Sequence, residues 1–191
     1  VANYCQHVWV LGSEKPRFFE TVDFKSGELI GRKPVEYVNQ HSARYEYENI
    51  AAVAKKANSY VKSMLQQARL GQAIDTETAS KVVSECVESI IRHPDALTWL
   101  TKIRSEDEYT AEHCLNVCVL AIVFGRKLGL KKPQLKNLGL CGLLHDIGKA
   151  VSAEVEGPHA IIGADIAKRC GEDPIIVNAI AAHHEEVPAI S

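Results

Sequence analysis

The chain has 191 residues, of which 46% are hydrophobic and 24% charged, a composition typical of a soluble globular protein and not of a disordered or fibrous one. Its 22 Lys and Arg residues against 24 Asp and Glu residues give a formal net charge of −2, which excludes binding of a polyanion through overall charge. No apolar run approaches the roughly 20 residues needed to cross a bilayer, and Val1 does not open a signal peptide. We therefore expect a cytoplasmic protein with no membrane partner, in which any phosphate chemistry is local.

The first part of the chain predicts a small β-containing segment over residues 1–45, incomplete as a domain. Its short extended pieces, His7–Val10 and Glu20–Phe24, are separated by Gly and Pro residues. After it the apolar residues recur at helical spacing, so the only candidate boundary lies near residue 45. We expect residues 46–94 to form linking helices and residues 95–191 to form a helical core that is truncated at its C-terminal end.

The rest of the chain predicts a mainly α bundle. Apolar residues recur every three or four positions from Tyr47 to Gly71, which indicates a long amphipathic helix. A second helix is predicted to start near Asp75, whose carboxylate can cap the first turn, and to end at His93–Pro94. Further helices are predicted around Leu97, Leu100 and Ile103, and over residues 107–128, 133–146, 158–170 and 174–184, with Gly129 and Gly171 at helix ends.

Five of the eight histidines lie in the last eighty residues and indicate a metal site. His145 precedes Asp146 at the end of an apolar helix, where the carboxylate can add a second ligand to one metal or bridge two metals. His113 lies on the preceding long helix and can reach the same point across the bundle. His159 opens the next helix, and His183–His184 closes the one after. We assign structural roles to the remaining histidines, His7, His41 and His93.

The order His113, His145–Asp146, His159, His183–His184 resembles the HD superfamily of metal-dependent phosphohydrolases over roughly residues 95–188. Residues 1–149 resemble an HD-GYP protein, a class that hydrolyses the bacterial signalling messenger cyclic di-GMP. The residues that carry this likeness are Leu97 to Arg104, Asp107-Glu108-Tyr109-Thr110, His113, Asn116-Val117 and His145-Asp146-Ile147-Gly148-Lys149.

After Lys149 the likeness changes to another relative. His159 follows Lys149 by only ten residues, a shorter distance than is typical of HD-GYP domains. Residues 143–188 resemble instead the HD domain of ribonuclease Y, a bacterial RNA endonuclease. This likeness rests on Glu154 to His159, Ile162-Gly163 and Val177 to His184.

The resemblance implies a phosphodiesterase with two divalent metal ions, and the shared carboxylate favours iron or manganese. His113, His145 and Asp146 would hold the first ion, and His159, His183 and His184 the second. With Asp146 bridging, the ions would lower the pKa of an attacking water. Lys149, the second predicted catalytic residue, would neutralise charge on the phosphoryl oxygens. Alternatively, Lys149 interacts only with the carbonyl end of its helix.

Three functions are compatible with these features. We favour a cyclic dinucleotide substrate, because balanced charge offers little grip on long RNA. The first alternative is a ribonuclease Y-like enzyme acting on short RNA, although Pro34 stands where the Gly-x-x-Gly loop of an RNA-binding KH domain would need its second glycine. The second is a non-catalytic sensor or scaffold, because no Gly-Tyr-Pro motif follows Glu185 and the superfamily's final Asp ligand is absent before Ser191. The chain could also form a homo-oligomer.

Overall fold

The computed structural model describes residues 35–40, 43–95, 109–151 and 157–184. These described residues are mainly helical and contain no strand. None of the described helices is both long and apolar enough to span a bilayer. The helices are α1 (Ala43–Arg69), α2 (Thr76–Arg92), α3 (Tyr109–Lys127), α4 (Lys132–Leu144), a 3-10 turn (Ile147–Ala150), α5 (His159–Arg169) and α6 (Pro174–Ala181).

The β-containing part of the fold prediction finds no support in the described chain. The predicted strands His7–Val10 and Glu20–Phe24 lie outside the described residues. Residues 35–40 are described and form no strand, because their backbone bonds to helix ends instead of to a second strand. The N–H of Val35 donates to the Gly129 carbonyl at 2.8 Å, and the N–H of Gln40 donates to the Arg92 carbonyl at 3.0 Å.

The helix ends follow the local signals in the sequence. The carboxylate of Asp75 accepts a hydrogen bond from the Thr78 N–H at 2.9 Å and so caps α2, as predicted. α2 ends at His93, whose extended backbone precedes Pro94. The predicted short helix around Leu100 lies outside the described residues. The glycines predicted to follow helices α1, α3 and α5 all have positive φ: Gly71, Gly129 and Gly171.

A single hydrophobic core joins the two N-terminal helices to the helices that carry the histidines. α1 and α2 pack against each other, against α3, and, in the case of α2, against α4. The large side chains at the centre of this core have almost no exposed surface: Met64, Ile90, Ile122, Leu143 and Ile180. α5 packs against both α6 and the 3-10 turn that follows α4. The N-terminal part of α3, the end of α4, the start of α5 and the end of α6 lie at one side of the bundle, where their histidines approach one another.

α3 and α4 approach closely at a glycine. A Cβ built on Gly142 would lie only 2.9 Å from the Cα of Cys118, so a larger residue would push the two helices apart. The cysteines beside this contact are core residues. Burial raises the pKa of Cys114 to about 12 and that of Cys118 well above its ordinary value, so both are protonated thiols at neutral pH.

Candidate metal centre

The structure brings all six predicted metal ligands to one point, where the ends of the helices meet. The ligand atoms form two groups, within each of which every atom lies within 4.8 Å of the others. One group is His113, His145 and Asp146; the other is Asp146, His159, His183 and His184. Asp146 belongs to both groups, which is the arrangement that a bridging carboxylate requires.

Asp146 stands between the two groups with one oxygen toward each. Its side chain is 2% exposed. Oδ2 lies 3.4 Å from Nε2 of His113 and 3.1 Å from Nε2 of His145. Oδ1 lies 3.3 Å from Nε2 of His159 and 3.6 Å from Nε2 of His183. Each carboxylate oxygen therefore faces its own pair of imidazoles.

Within each group, the Nε2 atoms are spaced as ligands of a shared metal ion would be. The Nε2 atoms of His113 and His145 lie 3.2 Å apart. Nε2 of His159 lies 3.3 Å from that of His183 and 3.0 Å from that of His184. Two nitrogens bound to one metal at about 2.1 Å are separated by roughly 2.9–3.4 Å, depending on the angle between them. The observed separations lie in this range.

Backbone carbonyls fix the orientation of two of the rings. Nδ1 of His145 lies 2.8 Å from the Gly142 carbonyl, and Nδ1 of His183 lies 2.6 Å from the Ile180 carbonyl. A carbonyl oxygen can only accept, so each Nδ1 carries the proton and each Nε2 presents a lone pair toward Asp146. Each carbonyl belongs to the residue three positions earlier, in the last turn of the preceding helix. Sequence reasoning did not find these acceptors, because a backbone carbonyl has no side-chain signature.

The electrostatics of the centre favour neutral imidazoles at His145 and His159 beside an anionic Asp146. Burial lowers the pKa of His145, and burial together with the nearby Lys149 ammonium lowers that of His159. Burial acts to raise the pKa of Asp146, but the hydrogen bond from Lys149 and the adjacent His145 outweigh it, so the pKa of Asp146 is lowered. At neutral pH these three groups are therefore in the protonation states that bind a metal.

Lys149 makes a contact that neither of its two predicted roles includes. Its Nζ donates a 2.7 Å hydrogen bond to Oδ2 of Asp146. The side chain of Lys149 is 44% exposed, so it lies at the solvent side of the buried carboxylate. The sequence predicts that Lys149 lies near the centre. Its pairing with Asp146 could not be predicted, because it depends on the 3-10 turn that follows α4.

One orphaned atom indicates that a cation fits this centre. Oδ1 of Asp146 is buried and has no hydrogen-bond partner among the described residues. A buried carboxylate oxygen without a donor is costly, so a cation at Oδ1 would relieve it. Five imidazoles with one shared carboxylate form a donor set that suits first-row transition metals.

Residues 110–190 match the family model of the HD domain. This part of the chain is similar to HD domains. The HD domain belongs to a superfamily of metal-dependent phosphohydrolases, as the order of the histidines indicated. The predicted helical core over residues 95–191 contains the matched region, and its outer boundaries stay a prediction.

Curated relatives come from both groups that the sequence resembles. The chain is 46% identical over 104 residues to a cyclic di-GMP phosphodiesterase of Pseudomonas aeruginosa, which covers 54% of this chain and 25% of that protein. It is 45% identical over 100 residues to Ribonuclease Y of Syntrophobacter fumaroxidans, covering 51% of this chain and 19% of the relative. It is 48% identical over 99 residues to Ribonuclease Y of Nitratidesulfovibrio vulgaris, covering 50% of this chain and 18% of the relative. The chain thus spans a quarter or less of these relatives. No solved structure matches it significantly.

Proposed function

We propose that this HD domain is a metal-dependent phosphodiesterase that hydrolyses a cyclic dinucleotide such as cyclic di-GMP. The observation that carries the proposal is the position of Asp146, whose two carboxylate oxygens face two separate groups of imidazoles. Such a shared carboxylate is the feature that distinguishes a two-metal hydrolytic centre from a single structural metal site.

Each group of side chains would hold one divalent ion, iron or manganese. His113 and His145 would bind the first with Oδ2 of Asp146. Oδ1 of Asp146 would bind the second together with the remaining imidazoles, those of His159, His183 and His184. When bound, such ions polarise a phosphoryl oxygen and lower the pKa of water. The chain's own contribution is to keep the His145 and His159 imidazoles neutral and the Asp146 carboxylate anionic, and to aim the rings at one point.

Lys149 is proposed to contact the substrate phosphate. Its ammonium lies at the solvent side of Asp146, where a phosphodiester would approach the centre. Once metal ions compensate the charge of Asp146, the ammonium is available to a non-bridging phosphoryl oxygen. A donor placed there stabilises the negative charge that develops in the transition state. Asp146, as the shared metal ligand, and Lys149, as the phosphate contact, would thus act from positions three residues apart.

A compact diester suits this chain better than a long RNA. A cyclic dinucleotide carries two phosphates, so local charges at the centre suffice to hold it. Long RNA is held by many phosphate contacts, and the net charge of −2 offers no general attraction. The relationship to Ribonuclease Y, at 45–48% identity over half of the chain, supports cleavage of short RNA as the second candidate.

The proposal is tested by a direct hydrolysis assay. The chain is loaded with Mn²⁺, or anaerobically with Fe²⁺, and incubated with cyclic di-GMP and with an end-labelled short RNA, and the products are separated by chromatography. We expect a linear dinucleotide from cyclic di-GMP, formed faster than RNA fragments. Preferential RNA cleavage would favour the second candidate. Metal-loaded, folded chain that cleaves neither would instead be a non-catalytic sensor or scaffold.

A further inference from the structure

The two oxygens of Asp146 lie in unequal environments. Oδ2 accepts a 2.7 Å hydrogen bond from the Lys149 ammonium. Oδ1 of the same carboxylate is buried but accepts no hydrogen bond among the described residues. One half of the carboxylate is therefore already compensated by a positive charge, and the other half is not.

This inequality distinguishes the two metal positions. The oxygen that Lys149 holds is the one facing His113 and His145. An ion entering there must displace the ammonium from Oδ2. Within the described part of the chain no ammonium competes for the oxygen facing His159 and His183, so an ion entering there gains a ligand without displacing a lysine.

We propose that Lys149 sets the order in which the centre takes up metal. The ion at His159, His183 and His184 binds first and more tightly. The ion at His113 and His145 binds second, because it competes with the Lys149 ammonium for Oδ2 of Asp146. This inference rests on the metal centre of the proposed function and adds to it a role for Lys149 before substrate arrives.

The same displacement links metal loading to substrate contact. While the position at His113 and His145 is empty, the ammonium stands in for the missing cation beside a buried carboxylate. When an ion enters at His113 and His145, the ammonium would leave Oδ2 and could contact a phosphate oxygen. Lys149 thereby contacts substrate only in the fully loaded centre.

Unequal ligand number offers a competing explanation. The group with His159, His183 and His184 contains three imidazoles, and the group with His113 and His145 contains two. The order of metal affinity could therefore arise without Lys149. The two explanations differ in what happens when the ammonium is removed. If Lys149 sets the order, removing its ammonium raises the metal affinity of the weaker site, and the difference in affinity between the two sites becomes smaller. If ligand number sets the order, this difference in affinity stays the same.

The test is a calorimetric titration of the metal-free 191-residue chain with MnCl₂, in the wild type and in Lys149→Met, which keeps the length of the side chain without its charge. We expect two classes of site in the wild type. In Lys149→Met the weaker site should gain roughly tenfold in affinity, within the range by which groups next to metal ligands change metal binding. The tighter site should change much less.

Two ligand variants assign the sites and keep the proposal testable if Lys149→Met does not fold. His184→Gln should weaken the first equivalent of Mn²⁺, whereas His113→Gln should leave it intact and remove the second. Loss of the first equivalent in His113→Gln, or an unchanged difference in affinity between the two sites in folded Lys149→Met, would overturn the proposal. Failure of wild type and variants alike to bind Mn²⁺ would overturn the metal centre as well. Normal ordered binding without diester hydrolysis would contradict only the proposed reaction.

Discussion

Gly148 packs against His159 backbone to backbone. A Cβ built on Gly148 would lie 2.0 Å from the His159 carbonyl oxygen and 2.7 Å from the Gly163 nitrogen. This contact joins the turn that follows Asp146 to the first residues of α5. The distance between Asp146 and the His159 imidazole is therefore set by close packing of main-chain atoms, which only glycine allows.

Gly148→Ala should damage both the fold and the centre. The added methyl group meets backbone atoms of α5, so α5 must move away, at a cost of about 1–3 kcal/mol of unfolding free energy. Moving α5 also moves His159, so the affinity for Mn²⁺ should fall. Urea unfolding and a Mn²⁺ titration measure the two effects.

Gly71→Ala is the matched control for this variant. Gly71 has positive φ and open space around its Cβ position, at the end of α1 and outside both ligand groups. Its substitution should lower stability by about 1 kcal/mol through backbone strain. It should leave Mn²⁺ affinity unchanged. Equal loss of affinity in the two glycine variants would show that instability, not ligand placement, weakens metal binding.

The metal-free chain should lose stability as the pH falls below the ordinary pKa of histidine. Burial lowers the pKa of His145 in the folded chain from its usual 6.5. Below about pH 6.5 the unfolded chain therefore binds a proton that the folded chain does not, and the free energy of unfolding decreases with decreasing pH. Urea unfolding in EDTA at about pH 7.5 and about pH 5.5 measures this difference. His145→Gln should reduce it, and an identical pH dependence in that variant would contradict the burial effect.

Metal should stabilise the folded chain in a metal-selective way. An ion at a hundred times its dissociation constant adds about 2.7 kcal/mol, provided that only the folded state binds it. For a chain of this size that corresponds to a rise in melting temperature of about 5–10 °C. Thermal unfolding with Mn²⁺, then with excess EDTA, should show the rise and its reversal. Mg²⁺ prefers oxygen ligands and should have little effect at the same concentration; an equal rise with Mg²⁺ would argue against a histidine-rich site.

Lys149→Ala should slow hydrolysis without emptying the centre. Loss of one transition-state donor typically costs about two to three orders of magnitude in turnover. Removing the ammonium also frees Oδ2 of Asp146, so both metal positions should remain filled under saturating Mn²⁺. Turnover of cyclic di-GMP by metal-saturated wild type and variant is the comparison to make. A folded Lys149→Ala chain with full activity would exclude the phosphate contact.

Most of the helical fold could be predicted from the sequence because its signals are local. The carboxylate of Asp75 and the proline after His93 define α2 by themselves, and the glycine at 129 ends α3. The predicted N-terminal strands had weaker support. A strand needs a partner strand, and residues 35–40 bond to helix ends instead.

The meeting of the ligands could be predicted only in outline. The motifs indicated which histidines converge, but His113 and His145 are 32 residues apart, and their 3.2 Å separation depends on α3 and α4 touching at Gly142. The pairing of Lys149 with Oδ2 and the orphaned Oδ1 depend on the three-dimensional position of one carboxylate. No pattern of residue types encodes that position.

If Asp146 bridges two metal ions, its replacement by Asn should empty both metal positions at once. The amide keeps the shape of the side chain but cannot supply two anionic oxygens, so both positions lose their shared ligand. After loading with Mn²⁺ and desalting, elemental analysis should find two ions per wild-type chain, one for each ligand group. Asp146→Asn, with an unchanged helical circular dichroism spectrum, should retain less than one and should not hydrolyse the substrate. Equal metal content in the two proteins would show that Asp146 is not a shared metal ligand.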